Sequence, residues 1–176
     1  VRPVNYPLHF LLLAVFSVVL ALTNRHHLVV LPFPSFLLYG ALHASAFVLA
    51  LRVPRSIGRQ SLFIALAAAS SGLTLGVITL GRHLVGTLPG NLGLFVLLGF
   101  AAVTGALTYG ALIRLFWIPT LRVGSLAAIS LGCLLATYLA FFTLSHSTLL
   151  GRWWLAVWWW YAFSGGLWGC TRLIKH

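Results

Sequence analysis

In 176 residues the chain holds 61% hydrophobic and 6% charged residues at a mean hydropathy of +1.04, against about 25% charged residues in an average soluble domain. So much apolar surface exceeds what a soluble core of this size can hide, which makes lipid the expected solvent, where a helix keeps every backbone hydrogen bond internal. Aspartate and glutamate are absent while Lys plus Arg number 11, giving a formal charge of +11. This excludes paired-acid catalysis, carboxylate metal cages and acidic proton relays built from this polypeptide alone.

The punctuation by Pro, Gly, Asn and Arg predicts about six spans. The first runs from Leu8 to Thr23 and ends at Asn24-Arg25-His26-His27. A Pro32-Phe33-Pro34 corner opens the second, Ser35 to Leu51, which stops at a basic loop with Arg52, Arg55 and Arg59. The third, Ser61 to Gly81, is closed by Arg82-His83 and Pro89-Gly90. The fourth, Asn91 to Ile118, ends before Pro119, and the fifth, Leu121 to Leu144, before Ser145-His146-Ser147. The sixth, Trp153 to Cys170, leads into Arg172, Lys175 and His176. The expected fold is all-α, a polytopic transmembrane helical bundle forming one domain over residues 1–176.

Alternate loops differ in charge. Arg2, Arg52, Arg55, Arg59, Arg114, Arg122, Arg172 and Lys175 fall on one side, and Arg25, Arg82 and Arg152 on the other. Cationic loops resist translocation, so both termini are expected on the cytoplasmic or matrix side. Arg114 lies about one turn inside its span, near enough to the end to snorkel. The cations sit between apolar spans, so the expected partners are anionic lipids such as cardiolipin and acidic neighbouring subunits, not nucleic acid. The chain has no methionine, even at position 1. This predicts a mature product whose targeting segment has been removed, and favours the mitochondrial inner membrane, with a bacterial inner membrane as the alternative.

Cys133 and Cys170 lack metal or redox spacing and read as small buried side chains. Ser70-Ser71-Gly72 is not a nucleophile elbow, and no acid is present to orient a histidine. His43 is the one titratable side chain deep inside a predicted span. It is the default candidate for ligating haem or a pigment, or for handing over a proton. His43 lies about 12 Å into its span at 1.5 Å per residue, whereas His9, His83 and His146 lie near span ends. That mismatch predicts no bis-histidine haem within the chain, and no catalytic or metal site is expected. Small residues at Ala65, Ala68, Gly72 and Gly76 predict a face for close helix packing, with Ser71, Gly72 and Gly76 as the place for a contact or a π-bulge. Trp158, Trp159 and Trp160 are consecutive, so on a helix they point in three directions, some towards lipid or a partner subunit.

From Pro34 to Gly81 the order is a proline-opened helix, a short connection and a small-residue helix with Ser71-Gly72 before Leu73-Thr74-Leu75-Gly76-Val77-Ile78-Thr79-Leu80. This resembles the second and third helices of subunit 6 of respiratory NADH:ubiquinone oxidoreductase (complex I), whose third helix carries a π-bulge at a glycine. Gly151-Arg152-Trp153, leading into a tryptophan-containing helix and a basic tail, resembles that family's last helix. The family has a tyrosine two residues before the glycine and an alanine after it, where this chain has Ser70 and Leu73, and it has five helices. The resemblance implies a respiratory-chain membrane subunit that binds no redox centre and couples electron transport to proton translocation. Arg2-Pro3 and Gly81-Arg82-His83-Leu84 are similar to the cytochrome b anchor of succinate dehydrogenase, which implies a haem-binding alternative. A small channel or carrier is the third reading. A non-catalytic subunit of an oxidoreductase complex is favoured over an enzyme acting alone.

Overall fold

A computed structural model describes residues 4–25, 32–52, 56–85, 92–144 and 151–173. They form six helices: α1 (Tyr6–Arg25), α2 (Pro32–Leu49), α3 (Ile57–Val85), α4 (Leu92–Phe116), α5 (Val123–Leu144) and α6 (Gly151–Leu173). No strand occurs among the described residues, apart from a single bridge between Val4 and Leu51. Each helix begins or ends where the sequence supplies the chemistry. The carbonyl of Asn5 accepts the His9 amide at 2.9 Å, and that of Ser56 accepts the amides of Arg59 and Gln60. Pro32 starts α2, where its missing N–H costs nothing. Pro119, just beyond α4, has no amide proton with which to continue the helix.

Each helix packs against the next in the chain, and α6 returns to α1, so the six close into a ring. Inward positions recur at helical spacing. On α6 they are Val157, Trp160, Phe163, Ser164 and Leu167, and on α5 Leu126, Ile129, Cys133, Thr137 and Ala140. The outward faces are apolar too: Leu11 is 61% exposed, Leu73 72% and Leu139 66%. An apolar core inside an apolar exterior is the arrangement a lipid solvent selects. Three helices are long and apolar enough to cross a membrane, over Ile57–Ile78, Phe95–Phe116 and Val123–Phe142. Shorter apolar stretches lie at Tyr6–Leu20 and Leu37–Leu49. Hydroxyls on the helices bond back to their own turn, as Thr104 does to Phe100 at 2.7 Å and Thr137 to Cys133 at 2.7 Å. That disposes of donors for which an apolar solvent offers no partner.

One end of the bundle gathers the start of α1, the α2–α3 connection, the α4–α5 connection and the end of α6. The Asn5 amide donates to Ala50 at 2.8 Å, and the Tyr6 hydroxyl meets that of Thr171 at 3.0 Å. Arg59 donates through Nη2 to the Phe116 carbonyl at 2.6 Å and lies 5.7 Å from the ring centres of both Phe116 and Trp117. A cation there also meets the negative end of the α4 dipole. Arg59→Gln is therefore expected to lower stability by about 1.5 kcal/mol, the worth of a hydrogen bond to a charged donor. Exposed Arg114 is the control: Arg114→Gln should stay within about 0.5 kcal/mol of the parent. Thermal unfolding in detergent reads both, and equal losses would contradict the assignment.

Candidate functional site

Two histidines and a serine converge inside the ring. The sequence places His9 near a span end and His43 deep within the next, yet the two meet because α1 and α2 run in opposite directions. His43 lies six residues before the end of α2, about 9 Å, and His9 three residues after the start of α1, about 5 Å. Long side chains close the difference. Nε2 of His9 lies 2.9 Å from the Ser164 Oγ, and Nε2 of His43 lies 3.4 Å from the same oxygen. All three side chains are buried. A hydroxyl donates one proton and accepts others, so Ser164 can accept from one imidazole while donating to the other.

Aromatic rings enclose this chain of bonds. Tyr109 stacks on one face of His43 at 4.7 Å between ring centres, and Trp160 stacks at 5.4 Å. Trp159 and Phe163 meet the same ring edge-on at 5.9 and 6.0 Å, and Phe47 meets His9 edge-on at 5.7 Å. Trp159 is itself fixed, its Nε1 donating to Ala102 at 3.1 Å. Two buried polar atoms beside the site have no hydrogen-bond partner among the described residues: Nδ1 of His9 and the hydroxyl of Tyr109. The backbone of Ala46 lies beside the His9 ring without completing such a bond in good geometry. Buried polar groups without a partner are rare in native proteins.

Comparison of the chain with protein-family models, with curated proteins and with solved structures finds no match.

A haem does not fit His43 in this packing. Both faces of the ring are covered and Nε2 faces Ser164, whereas an axial ligand must present a ring nitrogen to an open slot. Among the described residues no three of His, Cys, Asp and Glu cluster as metal ligands. Cys133 is buried and Cys170 half-buried, and neither forms a disulfide. α3 is α-helical throughout, including Ser71, Gly72 and Gly76. Its close contact is with α2, where a Cβ on Gly40 would meet Ser71, the Ala67 carbonyl and, at 2.9 Å, the Ala68 Cα. Gly72 is buried, whereas Ala65 and Gly76 face outwards. Trp158 is 52% exposed, Trp159 half-buried and Trp160 buried, so the three do point in three directions.

His26, His27, Arg55, His146, Lys175 and His176 lie outside the described residues, as do Arg2 and Pro3 and the side chains of Arg82, His83, Trp153 and Trp154. Ser164, Tyr109 and the inward placement of His9 are what sequence reasoning missed. His9 shares a helical face with Tyr6 and Leu13, at i−3 and i+4, and that spacing was the available signal.

Proposed function

We propose that the protein is an integral membrane subunit of a multi-subunit energy-transducing complex, crossing the bilayer six times and moving protons through His9, Ser164 and His43. The observation that carries this reading is the His–Ser–His chain of contacts, buried in aromatic rings and flanked by an unpartnered imidazole nitrogen. A proton arriving at Nδ1 of His9 releases the one on Nε2 to Ser164, whose own proton passes to Nε2 of His43. The positive charge thereby moves from His9 to His43, and no bond other than N–H and O–H changes. The π faces of Tyr109 and Trp160 receive it there, a cation–π contact being worth about 2 kcal/mol when desolvated. No carboxylate in the chain is available for that duty.

The same absence supports assembly with others. A formal charge of +11 without one acidic side chain is matched by acidic subunits or anionic lipid, and proton entry and exit then fall to acids on neighbouring chains. The resemblance to the membrane arm of NADH:ubiquinone oxidoreductase belongs to this reading. So does a setting in the mitochondrial or bacterial inner membrane, with the basic end of the bundle on the matrix or cytoplasmic side. Extraction in mild detergent followed by native electrophoresis is expected to place the chain in a large assembly with acidic membrane partners. A monodisperse free chain in repeated preparations would sink the subunit reading.

A further inference from the structure

At the basic end of the bundle a cavity of about 150 Å³ opens between Val4, Tyr6, Pro7, Arg52, Trp168 and Arg172. We propose that this cavity binds the phosphate group of an anionic phospholipid, clasped between Arg52 and Arg172.

Charge comes first. Two guanidiniums flank one cavity, and no Asp or Glu exists anywhere in the chain to neutralise them. Arg59 at the same end is already committed to the Phe116 carbonyl, whereas Arg52 makes no hydrogen bond or ion pair among the described residues. Arg172 lies over the Trp168 ring, its guanidinium carbon 4.1 Å from the ring centre. A contact with the ring face holds the guanidinium in place without consuming its N–H donors, which leaves the fork free for a phosphate oxygen pair. Size agrees: with a water occupying about 30 Å³ of liquid, the cavity has room for a tetrahedral anion.

Position selects a lipid over free phosphate. The cavity lies where the apolar exterior stops: Leu8 and Leu49 are exposed just beyond it on α1 and α2. Tyr6 and Trp168 line it with the amphipathic aromatics that sit at headgroup level. A diester headgroup seated between the arginines would lay its acyl chains along those leucines. Basic pockets between transmembrane helices recognise anionic headgroups in this way.

The test uses the full chain in mixed micelles of phosphatidylglycerol and phosphatidylcholine, with retained lipid read by native mass spectrometry. The parent should retain phosphatidylglycerol selectively. At about 1 kcal/mol per cationic side chain, the preference should fall about thirtyfold in Arg52→Gln/Arg172→Gln and about fivefold in either single variant. Arg52→Lys/Arg172→Lys, which keeps the charge but loses the planar fork and the stacking on Trp168, should fall between the parent and the double glutamine variant. Arg114→Gln/Arg122→Gln, with the same net charge as the double glutamine variant, should keep all of the preference. If the double glutamine variant does not fold, the single variants decide. Unchanged preference in them, or equal loss in the Arg114/Arg122 control, overturns the proposal. So does displacement of the lipid by millimolar inorganic phosphate, which would make the site one for the free anion, or an acidic protein retained with no phospholipid. Because lipid retention is independent of proton movement, this result and that of the preceding proposal fail separately.

Discussion

Gly40→Val is expected to destabilise the bundle by about 1–3 kcal/mol, the usual cost of forcing methyl groups into a filled contact. A single Cβ at this position already meets backbone on α3, the Ala67 carbonyl and the Ala68 Cα, neither of which can swing aside as a flexible side chain does. The helices must separate, and in lipid the loss is one of dispersion contact, since apolar burial drives no association there. Gly76→Ala on the outer face of α3 is the matched control. Nothing lies within 4 Å of its added Cβ, and alanine gains up to about 1 kcal/mol in helix propensity over glycine. Unfolding in detergent should therefore separate the two variants in opposite directions. A shift of the same sign and size in both would contradict the α2–α3 crossing described above. Gly166 marks a second close approach, its notional Cβ 3.2 Å from Ile129 on α5.

Ser164→Ala is expected to carry the largest functional effect. It removes one hydroxyl but strands two imidazoles, and each buried donor or acceptor left without a partner costs about 1–3 kcal/mol. Ser130→Ala calibrates that loss, because the Ser130 hydroxyl bonds only the Leu126 carbonyl of its own helix, at 2.8 Å. Its removal strands no partner, and its effect should be a small fraction of that at Ser164. Equal effects in thermal unfolding would mean that Ser164 merely fills space.

The six helices were legible because their ends are written in local chemistry. Pro32 and Pro119, the Arg52–Arg59 run and Gly151-Arg152 interrupt the apolar stretches within a few residues of the observed boundaries. The site was legible only at His43. The predicted spans put His43 mid-way along one and His9 at the very start of the other. But α1 begins two residues earlier, at Tyr6, and α2 ends two earlier, at Leu49, so the gap in depth shrinks and His9 meets His43 through Ser164. Ser164 itself is a small polar residue in a tryptophan-rich span, where most such hydroxyls bond back to their own turn. Only the rotation of α6, which brings Trp160, Phe163 and Ser164 to one face, singles it out. On α3 the predicted small-residue face comprised Ala65, Ala68, Gly72 and Gly76, whereas the contact with Gly40 falls on Ala67, Ala68 and Ser71. That contact depends on how α2 is rotated against α3, and neither sequence carries that angle.

The sharpest test of proton movement is the pH gradient held by energised membrane vesicles in which the parent or Ser164→Ala is the sole copy of the protein, at equal abundance in its assembly. The parent should build a larger steady gradient than Ser164→Ala, with electron transfer sustained in both. Equal gradients, with the variant assembled and the two imidazoles still in place, would contradict a role for the His9–Ser164–His43 chain in moving protons.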